Sequence, residues 1–314
     1  MLHITYQNDI GKLDFKGGNG RHAWRILEID GLGIAPKSFN TAQHPATVGQ
    51  RTLSETTEAR TITIQCDVNS IASHYGGASS NRWEISRALK ILNEPGTLLI
   101  SDGTRVRKIN ARCVEAVQGE RHGGYTVFAI QFVCDYPYFE DRETSKVPLF
   151  KVEPLLGNTT RWYLKDGQLT KEGIESGKFI LPCMFTRYIS RANVVNIGDV
   201  DTEPIIRIRL NGGTYNGTEG TPGTLVIRNE TTNQQIELNL GDAENTTEVI
   251  IDIPTRKIYS QDNKNLIHHL APTSFLSDLW LQKGQNLIGV DNYISESSVV
   301  ECEFSNKYIE AVIG

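Results

Sequence analysis

The chain has 314 residues, of which 39% are hydrophobic and 22% charged, the composition of a globular protein and not of a disordered tail. At roughly 150 residues per domain it is long enough for two domains, each with its own core. No apolar run reaches membrane-spanning length, which excludes a helical membrane protein, and a net charge of −5 disfavours a protein that grips nucleic-acid phosphates.

The N-terminus, MLHITYQNDIGKLDF, carries no charged segment followed by an apolar core, so no signal peptide is expected. The glycine-rich GGNG at 17–20 neither follows a clear strand nor opens a helix and reads as a hairpin turn. Ile62, Ile64, Cys66 and Val68 then alternate with Thr61, Thr63, Gln65 and Asp67, the period of a strand with one face in the core. NRWEISRALKILNEPG (81–96) predicts one amphipathic helix. Asn81 is its expected N-cap, with Glu84 at capping-box spacing. Ile85, Ala88, Leu89 and Leu92 form its apolar stripe, and Glu94-Pro95-Gly96 ends it.

Arg105, Arg107, Lys108 and Arg112 make the densest basic patch. No aromatic residue interleaves with it, as a nucleic-acid groove requires, so it reads as a solvated strand face or a protein contact. Phe128, Ile130, Phe132 and Cys134 form another alternating strand. After it, two prolines and a charge cluster in CDYPYFEDRETSKVP (134–148) have linker chemistry. The chain is divided there into domains 1–140 and 141–314.

In the second part, WYL, FIL and FTRYI within 161–193 look like strands of unclear register. Ile206, Ile208 and Leu210; Ile236, Leu238 and Leu240; Val249, Ile251 and Ile253; and Val300, Cys302 and Phe304 all alternate. The turn-forming runs NGGTYNG (211–217) and GDAEN (241–245) lie between strands, and PTSFLSDLW (272–280) suggests a short helical turn. Many short strands separated by such turns predict a mainly β protein of sandwiches or barrels.

Catalytic signatures are missing: there is no Walker A sequence, no G-x-S-x-G elbow and no H-E-x-x-H. His268-His269, read as strand neighbours on opposite faces, lack further ligands at metal-binding spacing and read as loop residues. Cys66, Cys113, Cys134, Cys183 and Cys302 show no CxxC pairing and read as reduced, structural thiols. Asn158, Asn216, Asn229 and Asn245 begin N-x-T sequons and read as polar turns. Trp162, Tyr163 and Trp280 could stack on a sugar but are the kind of aromatic that fills a β core. No catalytic, cofactor-binding or metal-binding residue is expected, and oligomer-interface residues are not identifiable.

Taken in order, a set of short motifs resembles the distal tail proteins of long-tailed bacteriophages, the siphophage tail-component family. They are Asn8-Asp9-Ile10-Gly11; Ile29-Asp30-Gly31-Leu32-Gly33 with Pro36; Arg60-Thr61-Ile62-Thr63-Ile64; Pro95-Gly96-Thr97-Leu98-Leu99-Ile100, followed by the strand with Arg107 and Arg112; and Cys134-Asp135-Tyr136-Pro137-Tyr138-Phe139. Further along come Asn196-Ile197-Gly198-Asp199 with Pro204-Ile205-Ile206-Arg207-Ile208, Ile251-Asp252 leading to Ser274-Phe275-Leu276 and Leu279, and Lys283-Gly284-Gln285-Asn286-Leu287-Ile288. The chain departs from the family at Val48-Gly49, where Asp-Gly is usual, and 158–193 has no counterpart.

The resemblance implies an N-terminal β-sandwich or split barrel with one α-helix and a C-terminal galectin-like β-sandwich. It implies a structural virion protein with no enzymatic activity and no cofactor. Six copies would close into a ring hub connecting the tail tube protein to the tail tip, baseplate or receptor-binding proteins. The protein would be assembled in the bacterial host cytoplasm and located in the virion, with DNA only passing through the channel and no membrane contact. Ring closure suits an all-β subunit because it covers strand edges, and an acidic lumen would repel DNA. The alternative is a carbohydrate-binding module contacting a host cell-wall glycan; a peptidoglycan hydrolase is disfavoured by the missing motifs.

Overall fold

The computed structural model describes residues 2–18, 23–43, 48–69, 78–122, 125–154, 162–165, 168–171, 186–210, 223–240, 247–292 and 298–311. The protein is mainly β with one α-helix and comprises two compact units. Unit 1 is Met1–Glu143 together with Asn306–Gly314; unit 2 is Thr144–Ser305. The sequence division assigns everything after 140 to the second domain. In the structure the last residues rejoin unit 1, because Lys307–Tyr308 pairs with Phe139–Asp141.

Unit 1 contains β1 (His3–Gln7), β2 (Lys12–Lys16), β3 (Trp24–Asp30), β4 (Lys37–Ala42), β5 (Arg51–Thr57), β6 (Arg60–Asn69), α1 (Ala78–Leu92), β7 (Gly96–Ser101), β8 (Val106–His122), β9 (Tyr125–Cys134) and β10 (Phe139–Asp141). Strands β8, β7, β1, β2, β3, β6 and β9 hydrogen-bond in that order, and β9 pairs back to β8, closing a seven-stranded barrel. Closure leaves these strands no free edge along the ring. The alternating residues Ile62, Ile64, Cys66, Phe128, Ile130, Phe132 and Cys134 are all buried inside. Trp24 lies among them, its ring 5.4 Å from Phe128 and 5.9 Å from Phe15. Strands β2 and β3 pair in parallel, Phe15 beside Trp24. Residues 19 and 20 of the GGNG run, expected as a hairpin turn, lie outside the described residues.

Helix α1 packs on the barrel through Ala88, Ile91 and Leu92. It starts at Ala78, so Asn81 lies inside it and is not the N-cap. Glu84, expected in a capping box, instead accepts a bond from Trp24 Nε1 (3.2 Å) and pairs with Arg87 (3.0 Å). Leu89 is exposed and Ile91 takes its expected core place. At the other end Asn8 Nδ2 donates to the carbonyls of Ile91 (2.7 Å) and Glu94 (3.2 Å), while its Oδ1 accepts from the amides of Ile10 and Gly11. This one side chain thus caps the helix C-terminus and shapes the β1–β2 turn.

Unit 2 contains β11 (Ser145–Pro154), β12 (Trp162–Lys165), β13 (Gln168–Lys171), β14 (Thr186–Ile189), β15 (Arg191–Asn196), β16 (Ile205–Leu210), β17 (Thr224–Asn229), β18 (Gln234–Asn239), β19 (Glu248–Asp252), β20 (Lys257–Ser260), β21 (Gly284–Asn292) and β22 (Ser298–Phe304). A six-stranded sheet, β14-β11-β22-β16-β19-β20, faces a four-stranded sheet, β15-β21-β17-β18. Ile206, Ile208, Ile251, Val300 and Cys302 of the first meet Val194, Leu225, Ile227, Ile236 and Ile288 of the second in one core. The alternation read from sequence thus marks the inner faces of a sandwich. The last strand, β23 (Lys307–Tyr308), belongs to unit 1. The turn expected near 272–280 is a 3-10 turn at Leu276–Asp278. FIL at 179–181, NGGTYNG at 211–217 and GDAEN at 241–245 lie outside the described residues, as do Cys183 and the sequon residues Asn158, Asn216 and Asn245.

Asn229 is not an exposed turn residue but is wholly buried. Its Nδ2 donates to the Trp280 carbonyl (2.8 Å) and Asn286 Oδ1 (3.2 Å). Asn286 also accepts from the Gln282 amide (3.0 Å) and donates to the carbonyls of Gln282 and Gly284. Asn196, next in register to Gly284, donates to the carbonyls of Val200 and Leu281. The N-I-G-D and K-G-Q-N-L-I motifs therefore meet where β15 pairs with β21, each contributing a buried asparagine that bonds the neighbouring backbone. Replacing Asn286 by alanine leaves several of its partners unmet and is expected to destabilise unit 2 by about 2–4 kcal/mol. Urea unfolding of the variant checks this; a loss under about 0.5 kcal/mol contradicts it.

Candidate assembly surface

Strands β4 and β5 form a two-stranded sheet that pairs with no strand of the barrel. All their residues except Thr57 are exposed, Phe39 at 54% and Leu53 at 60%. Val48 projects from the hairpin tip and Ile34 from its entry. The base is anchored: Glu58 N donates to the Pro36 carbonyl (2.8 Å), and Tyr138 OH to Thr57 Oγ1 (3.4 Å). A lone hairpin with both faces in water is marginally stable, which makes this hairpin the candidate for a surface covered by another molecule. Sequence periodicity could not identify it, because Lys37–Ala42 and Arg51–Thr57 carry no alternating apolar face.

A second apolar surface lies beside α1. Ile10, Ile85 and Leu89 line an open groove of about 860 Å³ between the helix and β8–β9, with Arg82, Lys90 and Glu94 at its polar margin.

The basic patch divides. Arg105 precedes β8 and is exposed, Lys108 lies 3.8 Å from Glu140, and Arg112 pairs with Asp135 at 3.1 Å. Arg107 is not on a solvated face. It belongs to the core-facing row with Ile109 and Ala111 and is 5% exposed. Its guanidinium stacks 3.7 Å from the centre of the Tyr308 ring and donates to the Glu310 carbonyl. Arg60 likewise continues the buried row Ile62, Ile64, Cys66 and is 1% exposed. It donates to the carbonyls of Pro137 (2.8 Å), Gly31 (2.7 Å), Gly33 and Ile309 (2.6 Å), over the Phe139 ring. The separate motifs I-D-G-L-G, R-T-I-T-I and C-D-Y-P-Y-F therefore meet at one guanidinium. Gly31 has φ +88°, and a Cβ there would stand 2.0 Å from the Thr61 carbonyl oxygen. Gly31→Ala is expected to cost unit 1 at least about 3 kcal/mol in denaturant unfolding; a variant as stable as the parent contradicts this reading.

The outer face of the six-stranded sheet in unit 2 carries a ladder of charges: Lys146, Glu303, Arg207, Glu301, Arg209 and Glu248. Burial alone would raise the Glu303 pKa, but bonds from Lys146 and Arg207 outweigh it and hold the carboxyl below its ordinary value. A depressed folded-state pKa contributes stability above the unfolded value, about 4.3, and loses it as pH falls through the lower folded value. Unit 2 is therefore expected to lose stability between about pH 5 and pH 3, and Glu303→Gln to flatten that loss. Equal slopes in the two proteins contradict this.

His268 and His269 occupy a 3-10 turn and not a strand, so their rings lie together, 4.1 Å between centres. His269 Nδ1 bonds the Asn239 carbonyl (2.8 Å). No group of three metal-ligating side chains is found among the described residues. Cys66, Cys113, Cys134 and Cys302 are not in disulfides. Burial pushes the Cys134 thiol up to about 12 and raises those of Cys66 and Cys302 as well, which keeps them protonated. Trp280 is half-buried; the side chains of Trp162 and Tyr163 lie outside the described set. No described helix is long and apolar enough to cross a membrane.

The chain matches the structure of SPP1 Dit (gp 19.1) protein, described as a paradigm of hub adsorption apparatus in Gram-positive infecting phages. The match has a TM-score of 0.64 and 13% identity and covers 98% of this chain and 99% of that one. At this identity it shows a shared fold across both units. A chain of the phage P2 baseplate in its activated conformation with calcium matches with a TM-score of 0.47 and 11% identity, over 96% and 97% of the two chains. No protein-family model and no curated protein matches the sequence.

Proposed function

We propose that this chain is a structural protein of a phage tail: a hub subunit that closes with copies of itself into a hexameric ring and joins the tail tube to the tip or baseplate. The observation that carries the reading is the fold match to a hub protein over nearly the whole of both chains. The unpartnered β4–β5 hairpin fits it, since a subunit that repeats head to tail must offer a surface its own fold leaves uncovered. Unit 1 is the ring-forming part and unit 2 the galectin-like sandwich. The partners are the tail tube protein and tip, baseplate or receptor-binding proteins; DNA only passes through. The chain catalyses no reaction, is assembled in the host cytoplasm and resides in the virion.

Glycan binding by unit 2 receives no specific support. A sugar laid on the six-stranded sheet would have to displace the Lys146–Glu303–Arg207 pairs. Mixing the purified chain with tubes of the tail tube protein tests the hub reading. Rings capping one end of the tubes are expected; tubes that stay bare at saturating chain contradict it.

A further inference from the structure

Unit 1 holds two buried arginines, and residues 306–311 supply both partners of Arg107 and one acceptor of Arg60. Arg60 and Arg107 stand at the ends of core-facing rows, and the bonds described for them run to carbonyl oxygens and aromatic rings. Residues 306–311 supply several of these partners: the carbonyl of Ile309 to Arg60, and the carbonyl of Glu310 and the ring of Tyr308 to Arg107. The segment is held elsewhere along its length. Asn306 Nδ2 and Tyr308 OH donate to Asp141 Oδ2 (2.8 and 3.1 Å), and the Ala311 amide donates to the Leu32 carbonyl (3.0 Å). Tyr308 and Ala311 are buried in the unit 1 core. A buried guanidinium stripped of its partners is strongly unfavourable; without this segment Arg107 loses the Glu310 carbonyl and the Tyr308 ring, and Arg60 loses one of its four carbonyl acceptors.

We propose that residues 306–311 form a closing strap: unit 1 reaches its folded state only when the strap is seated. Translation delivers the strap after the whole of unit 2. Competence to assemble is thereby confined to complete chains, and a chain cut short in unit 2 is kept out of the ring. The strap itself stands on the contacts above; its consequence for assembly rests on the hub reading.

The test uses the full chain and hydrogen exchange. Ala311→Asp places a charge at a buried position of the strap, and Tyr308→Ala removes the ring over Arg107. Both are expected to speed exchange at least tenfold through the barrel strands of unit 1, β6 and β9 included, while β16 and β19 of unit 2 exchange as in the parent. Tyr308→Phe keeps the ring, loses the hydroxyl bond to Asp141, and is expected to restore most of the protection. A loss confined to Gly31–Gly33, β10 and the start of β8 reports a local contact only and overturns the proposal. Parental exchange in unit 1 of Ala311→Asp overturns it, as does equal loss of protection in both units. Native mass measurement on the same samples separates the two readings: if the parent forms no ring, the hub reading fails while the exchange result still judges the strap.

Discussion

Arg60→Met is expected to destabilise unit 1 by about 4 kcal/mol. Methionine retains much of the side-chain volume, so the loss reports hydrogen bonding and not a cavity. Four carbonyls, those of Pro137, Gly31, Gly33 and Ile309, lose a charged donor in a place closed to water. Leaving a buried acceptor unmet costs about 1–3 kcal/mol each, partly relieved by relaxation. Arg60→Lys is expected to recover only part of the loss, because one ammonium cannot reproduce the planar fork that reaches all four oxygens. Denaturant unfolding with exchange read at Gly31–Gly33 checks both variants. A loss for Arg60→Met under about 1 kcal/mol removes the guanidinium from its central place.

Phe39→Glu combined with Leu53→Glu is expected to abolish self-assembly while leaving the subunit folded. Both side chains are already exposed and both strands lie outside the barrel, so the effect on unfolding should stay within about 0.5 kcal/mol. In an interface, two charges in place of two apolar anchors cost about 2 kcal/mol or more each, a thousandfold weakening in all. Sedimentation of parent and variant over a range of concentrations makes the comparison. A variant that assembles like the parent assigns the contact to another surface, of which the groove beside α1 is the next to test.

The rows Ile62-Ile64-Cys66 and Phe128-Ile130-Phe132 were legible because a strand in a closed barrel has one wet and one dry face, and alternation records that directly. The same rule, extended one step, would have placed Arg60 and Arg107 in the dry rows. Their charge argued for the opposite, and partners that offset the cost lie far off in sequence, 203 residues on for Arg107 and 77 residues on at Pro137 for Arg60. The β4–β5 hairpin left no periodic signal because neither of its faces is buried within one subunit. The helix was readable in its apolar stripe but not at its start, since Ala78, Ser79 and Ser80 tolerate helix and nothing local stops it before Asn81. In that hairpin, Phe39 and Leu53 read as ordinary residues until the fold shows them exposed.

The hub reading is tested most directly by native mass measurement of the purified chain across concentration, with negative-stain images of the same samples. It predicts six-membered closed rings with an open centre. A single subunit at every concentration, or open filaments without closure, would contradict it.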